Sequence, residues 1–143
     1  MLEVGLPAPG SARDDVRMAT WNDVRAVAAT LPETVERAPR EWRARDKSLA
    51  WERPLRKADL EALGADAPTG DILGVRVADV GVAEALVADD PAVYFRTPHF
   101  AGYPAVLVRL ATIEPDELHG LLRDAWLARV PKRMAKAYLD ANP

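Results

Sequence analysis

Apolar residues recur at helical spacing near both ends of the chain and at strand spacing between them. This order constrains the fold more than any single motif. Trp21, Val24, Val27, Ala28 and Leu31 share one helical face, opened by Thr20 and Asp23 three positions apart as a capping box and stopped by Pro32. Near the other end Pro115 stands where a first helical residue belongs, and Asp116 and Glu117 complement the positive first turn. Leu118, Leu121, Leu122, Ala125 and Trp126 form the stripe of that helix. Pro131 breaks it, and Met134, Ala135, Tyr138 and Leu139 predict a last helix.

In between, the period drops to two. Val35, then Trp42 and Ala44, then Leu49 and Trp51 predict short strands with alternating faces, joined by turns at Pro39–Arg40 and Asp46–Lys47. Alternation places Arg43 and Arg45 together on the face opposite Trp42 and Ala44. Residues 56–63 predict a short helix with Leu60 and Leu63 inward and Gly64 as a left-handed cap. A strand over Ile72–Val77 turns Leu73, Val75 and Val77 to one side. A helix over Asp79–Ala88, capped by Asp79, turns Val80, Ala83, Leu86 and Val87 inward. Ala92–Arg96 and Ala105–Leu110 complete the strands. Helices at both ends of a run of short strands predict an α+β domain, an antiparallel sheet packed against N-terminal and C-terminal helices. Regular strand–helix alternation and a glycine-rich phosphate loop are both missing, which argues against a doubly wound nucleotide-binding sheet. The domain is expected over residues 18–143. Residues 1–17, broken by Gly5, Pro7, Pro9, Gly10 and Ser11, are expected to be a flexible extension.

With 143 residues, 49% of them apolar, the chain supports one core. It has no cysteine, so disulfides, thiolate zinc sites and cysteine nucleophiles are excluded. No apolar run approaches the roughly 20 residues of a spanning helix, and no signal-peptide pattern opens the chain. A cytoplasmic protein without membrane contact is expected. Asp66, Asp71, Asp89 and Asp90 fit no calcium-loop spacing and read as turn formers, and Asp116 with His119 reads as a surface pair. No metal and no cofactor is expected.

Charge is distributed unevenly. The formal net charge is −3, yet residues 37–57 carry eight basic and three acidic side chains, and residues 123–143 carry five and two. Residues 58–122, with three basic and eleven acidic side chains, are strongly negative. If folding joins the two basic segments, a positive face forms on a negative body. Arg43, Arg45, Lys47 and Arg53 in the strand region, with Arg129, Lys132, Arg133 and Lys136 at the end, are the cations such a face would offer to phosphates.

The chain resembles the MmcQ/YjbR family of small bacterial proteins. The resemblance is carried by Trp21 with Leu31-Pro32-Glu33, by Asp46-Lys47-Ser48-Leu49-Ala50-Trp51, and by Tyr94-Phe95-Arg96-Thr97-Pro98-His99-Phe100. Ala105-Val106-Leu107-Val108-Arg109-Leu110 and the helix from Glu117-Leu118 through Ala125-Trp126 to Pro131-Lys132-Arg133 complete it. It implies a compact α+β domain of CyaY-like or double-wing arrangement and a DNA-binding role, and it brings no catalytic residues. Asp46 stands where a glycine usually precedes the lysine, which changes the expected turn geometry.

The leading expectation is therefore a non-enzymatic domain that binds DNA. The alternative is a protein-interaction or small-ligand module with a cleft near the 97–103 loop, where Thr97, His99 and Tyr103 bring a hydroxyl, an imidazole and a phenol within seven positions. No nucleophile, second carboxylate or metal partner accompanies them in sequence. Trp21 and Trp126 are expected in the core. Trp42 and Trp51, lying amid arginines, are also weighed as a stacking surface for cations or bases.

Overall fold

The computed structural model describes residues 19–143. The expected extension over residues 1–17 lies outside the described residues. Helix α1 (Trp21–Ala29) opens with the capping box read from sequence: the Thr20 backbone N–H donates to Asp23 Oδ2 at 2.8 Å, and the Asp23 N–H donates to Thr20 Oγ1 at 3.3 Å. Six strands follow, β1 (Thr34–Ala38), β2 (Glu41–Ala44), β3 (Lys47–Glu52), β4 (Ile72–Arg76), β5 (Tyr94–Phe95) and β6 (Ala105–Arg109). They form one sheet of order β1-β2-β3-β4-β6-β5, antiparallel at every step. The short helix α2 (Lys57–Leu63) connects β3 to β4, and α3 (Val80–Asp89) connects β4 to β5. Helices α4 (Pro115–Arg129) and α5 (Lys132–Ala141) close the chain. The expected α+β architecture, an antiparallel sheet with helices from both ends of the chain against it, is what the chain adopts.

The main core lies on one face of the sheet. There α1 and α4 press Trp21, Val24, Leu118, Leu122 and Trp126 onto Trp42, Leu73, Val75 and Val106. Trp126 Nε1 donates to the Pro32 carbonyl at 3.0 Å, so the helix stop after α1 also anchors α4. A smaller cluster covers the opposite face, where Ile72, Phe95, Phe100 and Leu107 meet Trp51, Leu55 and Leu63. Because β4 is covered on both sides, it is buried at Ile72, Leu73, Gly74 and Val75.

Four local expectations are corrected. The β2–β3 turn is Arg45–Asp46, one residue earlier than expected, and both residues have positive φ, 50° and 70°. Two positive φ values match the twist of the hairpin, so Asp46 takes the left-handed backbone that glycine adopts most easily. Arg45 consequently leaves the strand and does not stand beside Arg43. A register shift between Trp42 and Arg43 skips Leu49, which sends Leu49 and Ala50 to the main core and Trp51 to the opposite face. That bulge breaks the alternation that would have put Leu49 and Trp51 together. In α2 the buried residue is Asp59, while Leu60 is exposed. In α3 only Ala83 is fully buried, and Leu86 and Val87 pack at the margin.

Candidate functional site

Folding brings the two basic segments together. Arg129, in the last turn of α4, reaches β3 and donates from Nε to the Ser48 carbonyl at 3.1 Å. Arg45, in the β2–β3 turn, places Nη1 3.4 Å from Met134 Sδ on α5. Lys47 adjoins Ser48 and Arg133 adjoins Met134, so cations from residues 37–57 and 123–143 share one corner of the molecule.

Compensation by carboxylates then divides the predicted residues sharply. Arg43 pairs with Glu41 at 3.0 Å, Arg45 with Glu33 at 3.5 Å, and Lys136 with Asp140 at 2.8 Å. Neighbouring arginines are also paired: Arg37 with Asp46, and Arg40 with Glu52. Glu36 accepts from Arg25 Nε at 2.9 Å and from the Arg40 backbone N–H at 2.8 Å, and these bonds hold its carboxyl below the usual range. Lys47, Arg129, Lys132 and Arg133 have no carboxylate within 4.0 Å among the described residues.

Arg53 is not at this surface. It is buried between β3 and α2, with Nη2 3.0 Å from Asp59 Oδ2, Nη1 donating to the Pro54 carbonyl and the guanidinium over the Phe100 ring. The Arg–Asp contact is a charge pairing whose N–H is not aimed at the oxygen. Burial works hardest on the Asp59 carboxyl and opposes its ionisation. The Arg56 backbone N–H and then the Arg53 charge lead the opposing contributions, and the net effect holds the group below its ordinary value.

One residue near the cationic corner was not singled out for it by sequence reasoning. Arg76, at the end of β4, lies over the Tyr103 ring at 5.2 Å, and its Nε is buried without a hydrogen-bond partner. Arg129 is near enough to sense it: burial, then the Arg76 charge, lowers the Arg129 pKa, with the Tyr103 phenol acting in the opposite sense. Arg76 also has no carboxylate within 4.0 Å among the described residues. Like charges held close without a counterion favour an anion. The sequence carried a signal for Arg76, since a strand with Leu73, Val75 and Val77 inward must turn residue 76 outward.

The residues of the 97–103 loop do not converge. Thr97 is buried against Asp59, its Oγ1 without a geometrically satisfied hydrogen bond. His99 is exposed, edge-on to Phe100 at 4.8 Å, and lines a shallow depression of about 260 Å³ with Arg53, Arg56 and Asp59. Tyr103 lies beyond Phe100, turned to Arg76. Trp42 is buried and stacked with Trp21 at 6.3 Å, so it offers no surface for bases. Trp51 is half-buried against β4.

A second concavity lies between α3 and α4. It measures about 480 Å³, with Val77, Val82, Leu86 and Leu121 as apolar walls and Glu117, Asp124 and the buried Tyr94 as polar groups. Tyr94 donates its hydroxyl to Glu117 Oε2 at 2.6 Å.

Sheet order and helix placement define a small α+β domain, with Lys47, Arg129, Lys132 and Arg133 free of carboxylate partners among the described residues. The solved structure of Deinococcus radiodurans protein DR2400, a DUF419 domain, has the same fold: TM-score 0.57 at 22% identity, covering 87% of this chain and 88% of that one. The YjbR family pattern matches residues 29–128, and the chain belongs to the YjbR family. Among similar proteins are the uncharacterized proteins Rv2570 of Mycobacterium tuberculosis and Mb2600 of Mycobacterium bovis. Each is 58% identical over 125 residues, covering 85% of this chain and 97% of the relative. No described helix is long and apolar enough to cross a membrane.

Proposed function

We propose that this domain acts without catalysis and binds the phosphate backbone of nucleic acid at the corner where the β2–β3 turn meets α4 and α5. The supporting observation is the Arg129–Ser48 contact, which brings the end of α4 onto β3. Lys47, Arg129, Lys132 and Arg133 have no carboxylate within 4.0 Å among the described residues, and Arg76 is near enough for its charge to act on Arg129. Phosphate binding draws its affinity from released counterions, so unpaired cations count and paired ones contribute little. The contributing set is thus smaller than the eight cations expected from sequence. Arg43, Arg45 and Lys136 are held by carboxylates, and Arg53 is buried. A non-catalytic role is supported by the separation of His99, exposed and edge-on to Phe100, from Thr97, which is buried against Asp59, and from Tyr103, which is turned to Arg76.

An anisotropy titration of a labelled DNA duplex across salt tests the reading. Four phosphate contacts give a slope of about −4 in log K against log salt. Replacing Lys132 and Arg133 by Ala is expected to weaken binding and to make the slope shallower by about 2. Failure to bind at about 50 mM salt, or binding indifferent to this double substitution, would overturn the proposal.

A further inference from the structure

The cleft between α3 and α4 takes no part in that reading, and its chemistry is opposite. Its apolar walls come from Val77 after β4, from Val82 and Leu86 on α3, and from Leu121 on α4. Its charged groups are of one sign: Glu117 and Asp124 line it, and no lysine or arginine does among the described residues. Asp89 and Asp90, at the end of α3, are close enough to act on the Tyr94 phenol at the same place. Arg123 meets Asp124 at 3.5 Å from outside the lining and partly offsets its charge, whereas Glu117 has no basic partner within 4.0 Å among the described residues.

Gly120 adds an independent observation. It sits inside the fifteen-residue α4, where glycine costs roughly 1 kcal/mol relative to alanine. A Cβ built there meets nothing within 4 Å, so packing does not demand a glycine. Gly120 lines the cleft, and a side chain at this position would project into open space beside Tyr94 and Glu117. The Tyr94 hydroxyl bond holds one oxygen of Glu117 in place, and the other has no hydrogen bond from the described residues. A volume of about 480 Å³, apolar walls and a few fixed polar groups are the usual make-up of a small-molecule site.

We propose that this cleft binds a small primary amine carried on an aliphatic or aromatic body, with its ammonium on Glu117 and Asp124 and its apolar part against Val82, Leu86 and Leu121. The carboxylates set the sign of the ligand and the walls set its apolar character. Gly120 keeps the entrance wide enough for it.

The test uses the full chain with phenethylamine, hexylamine and tryptamine as probes, set against phenethyl alcohol and 3-phenylpropionate. Amide chemical-shift changes locate binding, and melting temperature against concentration follows it. The amines are expected to raise the melting temperature and to shift the amides of Tyr94, Glu117 and Gly120. The alcohol should bind about tenfold more weakly and the carboxylate not at all. Gly120→Leu should remove amine binding. Glu117→Gln should weaken it about tenfold while leaving binding of the alcohol unchanged. If Gly120→Leu impairs folding, Gly120→Ala and Glu117→Gln carry the comparison. Equal binding of amine and alcohol, shifts that map elsewhere, no binding by any probe at millimolar concentration, or amine binding unchanged by Glu117→Gln would each overturn the proposal.

Discussion

The indole of Trp51 covers Gly74, its register partner on the neighbouring strand, so closely that a Cβ at residue 74 would stand 2.5 Å from Trp51 Cε2. The smaller core of the protein is built on this contact, because Trp51 reaches it only by lying flat across a strand with no side chain at that position. Gly74→Ala is expected to lower stability by about 1–3 kcal/mol, the cost of overpacking a filled site. Urea denaturation measures it. Adding Trp51→Leu should return part of the loss, whereas strictly additive losses would contradict the close approach.

The buried pair of Arg53 and Asp59 ties α2 to β3, with both side chains under one-tenth exposed. Removing one partner strands a charge, so Asp59→Asn is expected to cost about 3–5 kcal/mol. Replacing both, as Arg53→Met with Asp59→Leu, should be far milder. The pair also has a pH signature. The Asp59 carboxyl is lowered in the folded chain from its ordinary 3.8, so the stability it contributes is complete above that value. That contribution is lost as pH falls through the lower folded value. Denaturation at successive acid pH values should show a fall in the wild type that Asp59→Asn lacks.

Tyr94 carries the opposite dependence. Burial, then the Glu117 bond and charge, pushes its phenol above the ordinary value of 10.0. The neutral form is therefore favoured by folding. Its contribution is complete below pH 10 and is lost as pH rises beyond it. Tyr94→Phe should cost about 0.5–1.5 kcal/mol at neutral pH through the lost hydrogen bond. It should also show a smaller decline than the wild type between neutral and strongly alkaline solution. Equal declines in both chains would count against this account.

Thr20 and Asp23 satisfy each other's backbone N–H groups at the start of α1. Thr20→Ala is expected to lower stability by about 1 kcal/mol. Amide exchange should quicken in the first turn of α1 more than in α4. Unchanged exchange there would show that packing of Trp21 alone holds the helix start.

Much of the fold was legible because its signals are local. The capping box at Thr20, proline at the start of α4 and the stripe from Leu118 to Trp126 each depend on residues within a turn or two. Less of the candidate site was legible. A guanidinium looks the same in sequence whether it faces solvent or a carboxylate: Arg43 meets Glu41 two positions back on its own strand, and Arg45 acquires Glu33 only through the β1–β2 hairpin. Arg53 reads as a surface cation until α2 brings Asp59 over it. The bulge at Leu49 left no mark in the alternation, since Leu49 and Trp51 are both apolar and both find a core, on opposite faces.

By itself, then, the order of residues determined which segments are helix and which are strand, and that two basic stretches flank an acidic middle. Backbone preference and apolar periodicity act over a few residues and need no knowledge of the rest. Only the tertiary structure decided that Arg129 would meet Ser48 and that Arg76 would lie beside it. It also decided that most hairpin arginines would be neutralised and that Gly120 would border an acidic cleft. Those outcomes depend on which distant charges come within a few ångströms, where Coulomb energy falls with separation in space and not along the chain.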